Sequence, residues 1–195
     1  MPLREPLGRD AVHLCIDMQR IFAEDTEWHT PSMAAVTPNI LRLAAALPTL
    51  WSRFTVPETP AEATGQWQRY YERWAVFTGA RMDPGLVDLV PPLAAIADPA
   101  DIYDKPTYSL FETPAFVDRL GRDGVRTILF SGVETDICVL ATLIAAVDRG
   151  FRVIAVADAL TSSDHASHAA ILELLLPRMP DQVEIASTDE VLGSN

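Results

Sequence analysis

The residues of this sequence whose types and spacing could do chemistry lie between Ser131 and Val139, in the segment SGVETDICV. An apolar run from Thr127 to Phe130 leads into Gly132, and a helical pattern begins at Asp136. This order predicts that Cys138 lies in the first turn of a helix that follows the carboxyl end of a strand. Free N–H groups and the dipole at a helix N-terminus stabilise negative charge, so the pattern predicts a reactive thiolate there.

Two further segments can supply charged partners to this cysteine. Asp17 follows the apolar stretch that begins at Ala11, and Lys105 ends a short strand just before Pro106. Ligands of open α/β sheets bind at the carboxyl ends of the strands, where both residues are predicted to lie. The carboxylate could act as a general base and then a general acid, and the ammonium could hold it ionised. The alternatives are a helix cap or salt bridge for Asp17 and a solvated surface position for Lys105.

The other cysteine provides a comparison. Cys15 lies in the middle of the first predicted strand and has no charged neighbour within that strand, which favours simple packing in the core. Two cysteines cannot make a disulfide framework.

Six strands alternate with helices along the chain. The strands are predicted at Ala11–Met18, Thr49–Phe54, Ile102–Lys105, Thr127–Val133, Arg152–Ala157 and Val183–Ala186. The helices are predicted at Met33–Leu47, Thr64–Trp74, Gly85–Val90, Thr113–Leu120, Asp136–Arg149 and His165–Leu176. Such alternation is typical of an α/β fold, a doubly wound, mostly parallel six-stranded sheet with helices on both faces.

Length and charge narrow the functional classes. The 195 residues are predicted to form one domain, residues 1–195, with a substantial core. The net charge of −12 argues against binding to nucleic acid and to anionic membrane surfaces. The sequence lacks an apolar signal segment and a run long enough to span a membrane, which predicts a cytoplasmic protein.

The three segments, in this order, resemble those of the isochorismatase-like cysteine hydrolases. That family includes nicotinamidases, N-carbamoylsarcosine amidases, ureidoacrylate hydrolases and isochorismatase itself. The resemblance is carried by Asp17-Met18-Gln19 with Phe22, by Lys105 with Tyr108-Ser109 and Phe111, and by Gly132 to Asp136 with Cys138-Val139. It continues through Asp148, Gly150 and Asp158-Ala159, and it covers nearly the whole chain.

The resemblance implies a catalytic triad of Asp17, Lys105 and Cys138. It also implies a cis peptide bond between Val133 and Glu134 and an oxyanion hole formed by the backbone N–H groups of Glu134 and Cys138. Isochorismatase cleaves a vinyl ether without a thiol, so Cys138 favours an acyl-enzyme route on a C–N bond.

No cofactor or metal is predicted. Nicotinamidases of the family bind a metal with histidines in the loop after the second strand, whereas the segment Ser52–Glu58 contains no histidine. His165 and His168 are three residues apart on one predicted helix face, where a solvated or capping role is the default.

Six side chains are predicted to bind the substrate: Phe22, Arg53, Trp67, Tyr108, Phe111 and Ile137. Arg53 could pair with a substrate carboxylate, or it could form a surface salt bridge. The unusually aromatic run from Trp67 to Trp74 fits a helix core, a subunit interface or a pocket lid. Because one small domain does not readily hide so many rings, and because family members commonly assemble, we predict a homo-oligomer, either a dimer or a tetramer.

The function predicted from the sequence is a metal-independent cysteine amidohydrolase that acts on a small amide, ureido or carbamoyl compound. Three alternatives stay open: a vinyl-ether hydrolase of the isochorismatase type, a non-catalytic protein that binds a small molecule or a partner, and a redox-reactive thiol protein.

Overall fold

A six-stranded sheet forms the centre of the protein in the computed structural model, which describes residues 3–193. Its strands are β1 (Ala11–Ile16), β2 (Thr49–Phe54), β3 (Ile102–Lys105), β4 (Thr127–Gly132), β5 (Arg152–Leu160) and β6 (Val183–Ala186). The strand order is β3-β2-β1-β4-β5-β6, and every neighbouring pair is parallel. The predicted α/β fold with six mostly parallel strands is therefore confirmed.

The order of the strands determines where a ligand can bind. The chain leaves β1 towards β2 and β3 on one side of the sheet and later continues from β4 to β6 on the other. A crevice opens at such a reversal, outside the carboxyl ends of the two central strands. Asp17 directly follows β1, and the cysteine segment directly follows β4.

Eight α-helices surround the sheet within residues 3–193. They are α1 (Arg20–Ala23), α2 (Met33–Ala46), α3 (Gln66–Arg73), α4 (Pro91–Ala94), α5 (Pro114–Arg122), α6 (Leu140–Asp148), α7 (His165–Ala170) and α8 (Thr188–Leu192). Wider π-helical turns occupy Thr135–Val139 and Ile171–Leu175, and short 3₁₀ turns occupy Pro60–Glu62, Ala75–Phe77, Pro84–Val87, Pro99–Asp101, Leu110–Glu112 and Leu176–Arg178. None of the helices in the described part of the chain is both long and apolar enough to span a membrane.

Two hydrophobic clusters cover the two faces of the sheet. One contains residues of α5 and α6 such as Phe116 and Leu143. The other contains residues of α2 and α8 such as Ile40 and Val191. Both central strands, β1 and β4, are buried along their whole length, which explains why their sequences are apolar without alternation.

Some predicted helices differ from those of the structure. Pro91 and Pro92, which directly follow the helix predicted over Gly85–Val90, begin α4, because proline fits the first turn of a helix. The preceding residues form only a 3₁₀ turn over Pro84–Val87. The helix predicted over His165–Leu176 is α-helical only to Ala170 and continues in π and 3₁₀ turns.

Candidate active site

A buried ion pair lies at the carboxyl edge of the sheet. The ammonium of Lys105 donates to Oδ2 of Asp17 at 2.7 Å and to the carbonyl oxygen of Thr107 at 3.2 Å. The Lys105 side chain is fully buried, and that of Asp17 is 1% exposed. The Lys105 ammonium also lies 5.1 Å from the ring centroid of Phe54. A buried charge requires partners of this kind, so the solvated position considered for Lys105 is wrong.

Ser52 fixes the second oxygen of the Asp17 carboxylate. Its hydroxyl donates to Oδ1 of Asp17 at 2.6 Å, and its oxygen atoms accept from the Asp17 backbone N–H. The Asp17 backbone has φ 50°, a conformation that aspartate tolerates better than most residues. No role of Ser52 was predicted from the sequence. A serine that interrupts the apolar strand Thr49–Phe54 was the available signal, because β2 lies next to β1.

Gln19 ties the end of β1 to its neighbours. Its amide nitrogen donates to the carbonyl oxygens of Phe54 at 3.0 Å and Val87 at 2.8 Å, and its amide oxygen accepts from the Phe54 N–H at 2.7 Å. All three bonds immobilise the loop that carries Asp17.

Close backbone packing positions the cysteine segment. Gly132 has φ 103°, and a β-carbon there would lie 2.0 Å from the carbonyl oxygen of Ile16, so only glycine fits. The peptide bond between Val133 and Glu134 is cis, as the resemblance implied. The helical segment then begins with the π turn Thr135–Val139, in which Cys138 is the fourth residue.

The helical segment that carries Cys138 begins after Glu134, whose side chain makes no cap hydrogen bond. Thr135 donates to the carbonyl oxygen of Thr161 and pairs with His168, while Asp136 accepts from Ser162. These hydrogen bonds attach the cysteine segment to the chain that follows β5, and they give His168 a structural partner.

The electrostatic environment favours a protonated thiol in the resting protein. Burial raises the pKa of Cys138, the charge of Asp17 raises it further, and the charge of Lys105 lowers it less than these two raise it. For Lys105, burial opposes the charge, but the neighbouring Asp17 and Cys138 outweigh burial and raise the pKa of the ammonium. The thiolate predicted from the helix N-terminus alone is therefore not favoured, since Cys138 is only 7% exposed. Cys15 is fully buried as predicted, and burial raises the pKa of its thiol to about 12.

A cavity of about 300 Å³ opens directly onto Asp17 and Cys138. Its volume is suited to a small molecule. The residues that line it are Asp17, Phe22, Glu27, Trp28, His29, Phe54, Tyr70, Trp74, Tyr108, Glu134, Ile137, Cys138 and Ser163.

Three of the six side chains predicted to bind substrate line this cavity, namely Phe22, Tyr108 and Ile137. Arg53 does not, because it pairs with Asp104 at 2.7 and 3.0 Å, its partner in register on β3, and approaches Asp88 at 3.4 Å. The surface salt bridge is thus the reading that the structure supports for Arg53.

Phe111 and Trp67 also lie outside the lining. Phe111 is 4% exposed and packs in the core against Phe116 and Phe151, with centroid distances of 5.3 and 5.8 Å. Trp67 does not line the cavity, but its ring centroid lies 4.8 Å from that of Tyr108, which does. The sequence pattern predicted aromatic side chains around the substrate, but it could not say which rings line the cavity and which pack outside it.

The rings that line the cavity include Trp28, for which no role was predicted, and Tyr70 and Trp74, which belong to the run for which a pocket lid was one alternative. Trp28, in the loop between α1 and α2, contacts the rings of Phe22, Tyr70 and Trp74 at centroid distances of 6.2, 5.9 and 6.0 Å. Helix α3 supplies Tyr70, and Trp74 follows at its end. Because these rings pack within one chain, the aromatic segment no longer argues for assembly, and the homo-oligomer stays a prediction.

Glu134 contributes to the cavity through both its backbone and its side chain. Its carboxylate accepts from the Thr30 hydroxyl at 3.3 Å and from the Ser163 N–H at 2.9 Å. No acceptor within residues 3–193 receives its backbone N–H. This N–H is therefore free to donate to a bound group.

The cavity residues do not fit a metal ion. No three side chains of His, Cys, Asp or Glu in the part of the chain that the structure describes come together as metal ligands. His29 is the single histidine among the lining residues, and the loop after β2 has none.

Comparison with known proteins finds relatives of this chain in sequence and in fold. The model of the isochorismatase domain family matches residues 11–189. Nicotinamidase 3 of Arabidopsis thaliana is 26% identical over 172 residues, which cover 87% of this chain and 82% of the plant protein. The crystal structure of a cysteine hydrolase from Pseudomonas syringae pv. phaseolicola superposes with a TM-score of 0.82 at 25% identity, covering 100% of this chain and 96% of the other. A pyrazinamidase of Pyrococcus horikoshii in complex with zinc shares the fold, with a TM-score of 0.70 at 22% identity over 91% of this chain and 99% of its own.

Proposed function

Because the chain belongs to the isochorismatase domain family of hydrolases, we propose that it is a metal-independent cysteine amidohydrolase that cleaves a C–N bond of a small amide, ureido or carbamoyl compound. The observation that carries this proposal is that Cys138 and Asp17 meet at a small cavity, with the buried Lys105 ammonium hydrogen-bonded to Asp17. A nucleophile, a base within reach and a group that orients the base are the parts that acyl transfer requires.

Acylation begins with a neutral thiol. Asp17 removes the proton as the sulfur of Cys138 attacks the carbonyl carbon, and the resulting oxyanion accepts hydrogen bonds from the backbone N–H groups of Glu134 and Cys138. Asp17 then gives the proton to the departing nitrogen, the C–N bond breaks, and a thioester remains on Cys138. Water hydrolyses the thioester and restores the thiol.

The raised pKa of Cys138 explains why this scheme needs Asp17. A thiol that is protonated at neutral pH is a weak nucleophile until a base takes its proton during the attack. Ser52 and Lys105 hold the two carboxylate oxygens of Asp17, so the proton must be exchanged at a carboxylate whose position is fixed.

Lys105 provides the positive charge of the site. The ammonium lies in a water-poor environment, where its interaction with Asp17 and with charge that develops during the reaction is stronger than in water. No step of the scheme is assigned to a metal. A cytoplasmic location and a homo-oligomeric assembly remain predictions.

The test is a screen for the release of ammonia from small primary amides, ureides and carbamoyl compounds. The wild-type protein should turn over at least one of them, Cys138→Ala should not, and Cys15→Ala should retain activity. Hydrolysis at the wild-type rate by Cys138→Ala would overturn the acyl-enzyme scheme and favour the thiol-independent alternative. Activity that is lost on exhaustive chelation and restored by zinc or iron would overturn the metal-independent assignment.

A further inference from the structure

Four of the aromatic rings that line the cavity form a connected group, which we call the aromatic cage: Phe22, Trp28, Tyr70 and Trp74. Trp28 is the central member and contacts each of the others at centroid distances of 6.2 Å or less. Phe77 stacks on Trp28 at 4.1 Å from outside the lining and holds its indole in place. A ligand that enters the cavity therefore meets π systems that are already ordered.

The charged side chains of the lining are three carboxylates, those of Asp17, Glu27 and Glu134, and no lysine or arginine belongs to it. The charge of Asp17 is balanced by Lys105, and Glu134 accepts two hydrogen bonds. Glu27 differs, because it is exposed and has no ion-pair or hydrogen-bond partner among residues 3–193. The uncompensated charge at the cavity is thus negative.

We infer that this cavity selects an amide substrate whose distal end is a cation, such as a quaternary ammonium group, held by the aromatic cage and Glu27. The inference rests on the proposed function for the position of the scissile carbonyl at Cys138. Aromatic rings attract cations through their quadrupole, and an uncompensated carboxylate adds to that attraction while repelling anionic substrates.

A cation already lies against one of these rings. The guanidinium of Arg73, which is not a lining residue, lies 5.2 Å from the ring centroid of Trp74. A substrate carboxylate could instead approach Arg73, which would give the cavity the opposite preference. The experiment must therefore include an anionic ligand and an Arg73 variant.

Three small amides of similar size test whether the cavity recognises the charge or the shape of a ligand. Trimethylammonioacetamide is cationic, 3,3-dimethylbutanamide is its uncharged isostere, and malonamate is anionic. Their binding to the inactive Cys138→Ala protein can be followed by tryptophan fluorescence, since Trp28 and Trp74 line the cavity. We expect the cation to bind about 10-fold more tightly than its isostere, within the range that cation–π contacts provide.

Variants that remove a single negative charge test whether Glu27 causes the preference for the cation. In the Cys138→Ala background, Glu27→Gln should weaken binding of the cation about 3-fold or more and leave binding of the isostere unchanged. Glu72→Gln is the matched control, because Glu72 is an exposed carboxylate on α3 that does not line the cavity. It should change neither affinity.

The outcomes distinguish this inference from the proposed function. Preferential binding of the cation without its hydrolysis by the wild-type protein would support the charge preference and count against the amidohydrolase. Equal binding of cation and isostere, or no binding of the cation at millimolar concentration, would overturn the inference even if other amides are hydrolysed. Tightest binding of malonamate, lost in Arg73→Gln, would overturn it in favour of an anion-selective cavity.

Discussion

The ammonium of Lys105 and the carboxylate of Asp17 meet at 2.7 Å in the interior of the protein, between the ends of β3 and β1. β2 lies between these two strands in the sheet, so the ion pair spans the end of a strand. Removal of one partner leaves the other buried without compensation.

Lys105→Met should lower the free energy of unfolding by about 3–5 kcal/mol and abolish turnover. The loss arises mainly from the uncompensated Asp17, so adding Asp17→Asn should recover part of the stability but none of the activity. Chemical denaturation of the two single variants and the double variant measures this coupling. Strictly additive losses would show that the two side chains do not interact as the structure indicates.

Ser52→Ala removes the hydroxyl that holds Oδ1 of Asp17. Hydrogen bonds to charged groups contribute about 1.5–3 kcal/mol, so kcat should fall about 10- to 150-fold. Because Ser52 acts through Asp17, KM should change little, and Ser52→Thr should restore part of the rate. Steady-state kinetics check this, and an effect on KM alone would argue against a positioning role.

The raised pKa of Cys138 predicts how alkylation depends on pH. At neutral pH the thiol is protonated, and below its pKa the thiolate fraction rises tenfold per pH unit. The rate of carboxamidomethylation by iodoacetamide at Cys138 should therefore still be increasing above pH 9, while Cys15 remains unmodified. Peptide mass spectrometry resolves the two sites. A rate that levels off near pH 7 would instead indicate the thiolate expected from the helix N-terminus.

His13 makes the fold sensitive to acid. Its ring is fully buried between the hydroxyls of Thr49 at 3.1 Å and Ser131 at 2.7 Å, and burial lowers its pKa to about 3. The unfolded chain binds a proton near pH 6.5, whereas the folded chain does not until about pH 3. Stability is therefore complete above pH 6.5 and is lost as the pH falls towards 3, by about 1.4 kcal/mol per unit.

Between pH 7 and pH 5 this single histidine should cost about 2 kcal/mol of unfolding free energy. His13→Asn should show a correspondingly smaller loss over the same interval when both proteins are unfolded by urea. An equal loss in both would mean that the imidazole is protonated in the folded protein.

The strand ends explain why so much of the fold and site could be predicted. The apolar runs before Asp17 and Cys138 and the short strand that ends at Lys105 were predicted from the sequence, and parallel strands bring their carboxyl ends to one edge. β2, β3 and β6 have the predicted bounds. The cis bond came from the family resemblance, and no local pattern would have indicated it.

Other features depend on tertiary contacts, which the spacing of apolar residues along the sequence does not predict. Trp28 lies in an irregular loop, and only its packing against α3 brings it to the cavity. Arg53 and Phe111 do not line the cavity, because a place near the end of a strand or near a site residue does not fix the direction of a side chain. The burial that raises the pKa of Cys138 could not be predicted either, since a helix N-terminus says nothing of how deeply the sulfur is buried.

Capture of the covalent intermediate tests the central claim, that Cys138 is the nucleophile, most directly. An amide that the protein hydrolyses is mixed with it, the reaction is quenched with acid within one turnover, and the intact protein is weighed by mass spectrometry. The account predicts a mass increase equal to the acyl group, carried by the peptide that contains Cys138, released by hydroxylamine and absent from Cys138→Ala. Turnover of that amide by Cys138→Ala at the wild-type rate, with no adduct on either protein, would contradict it.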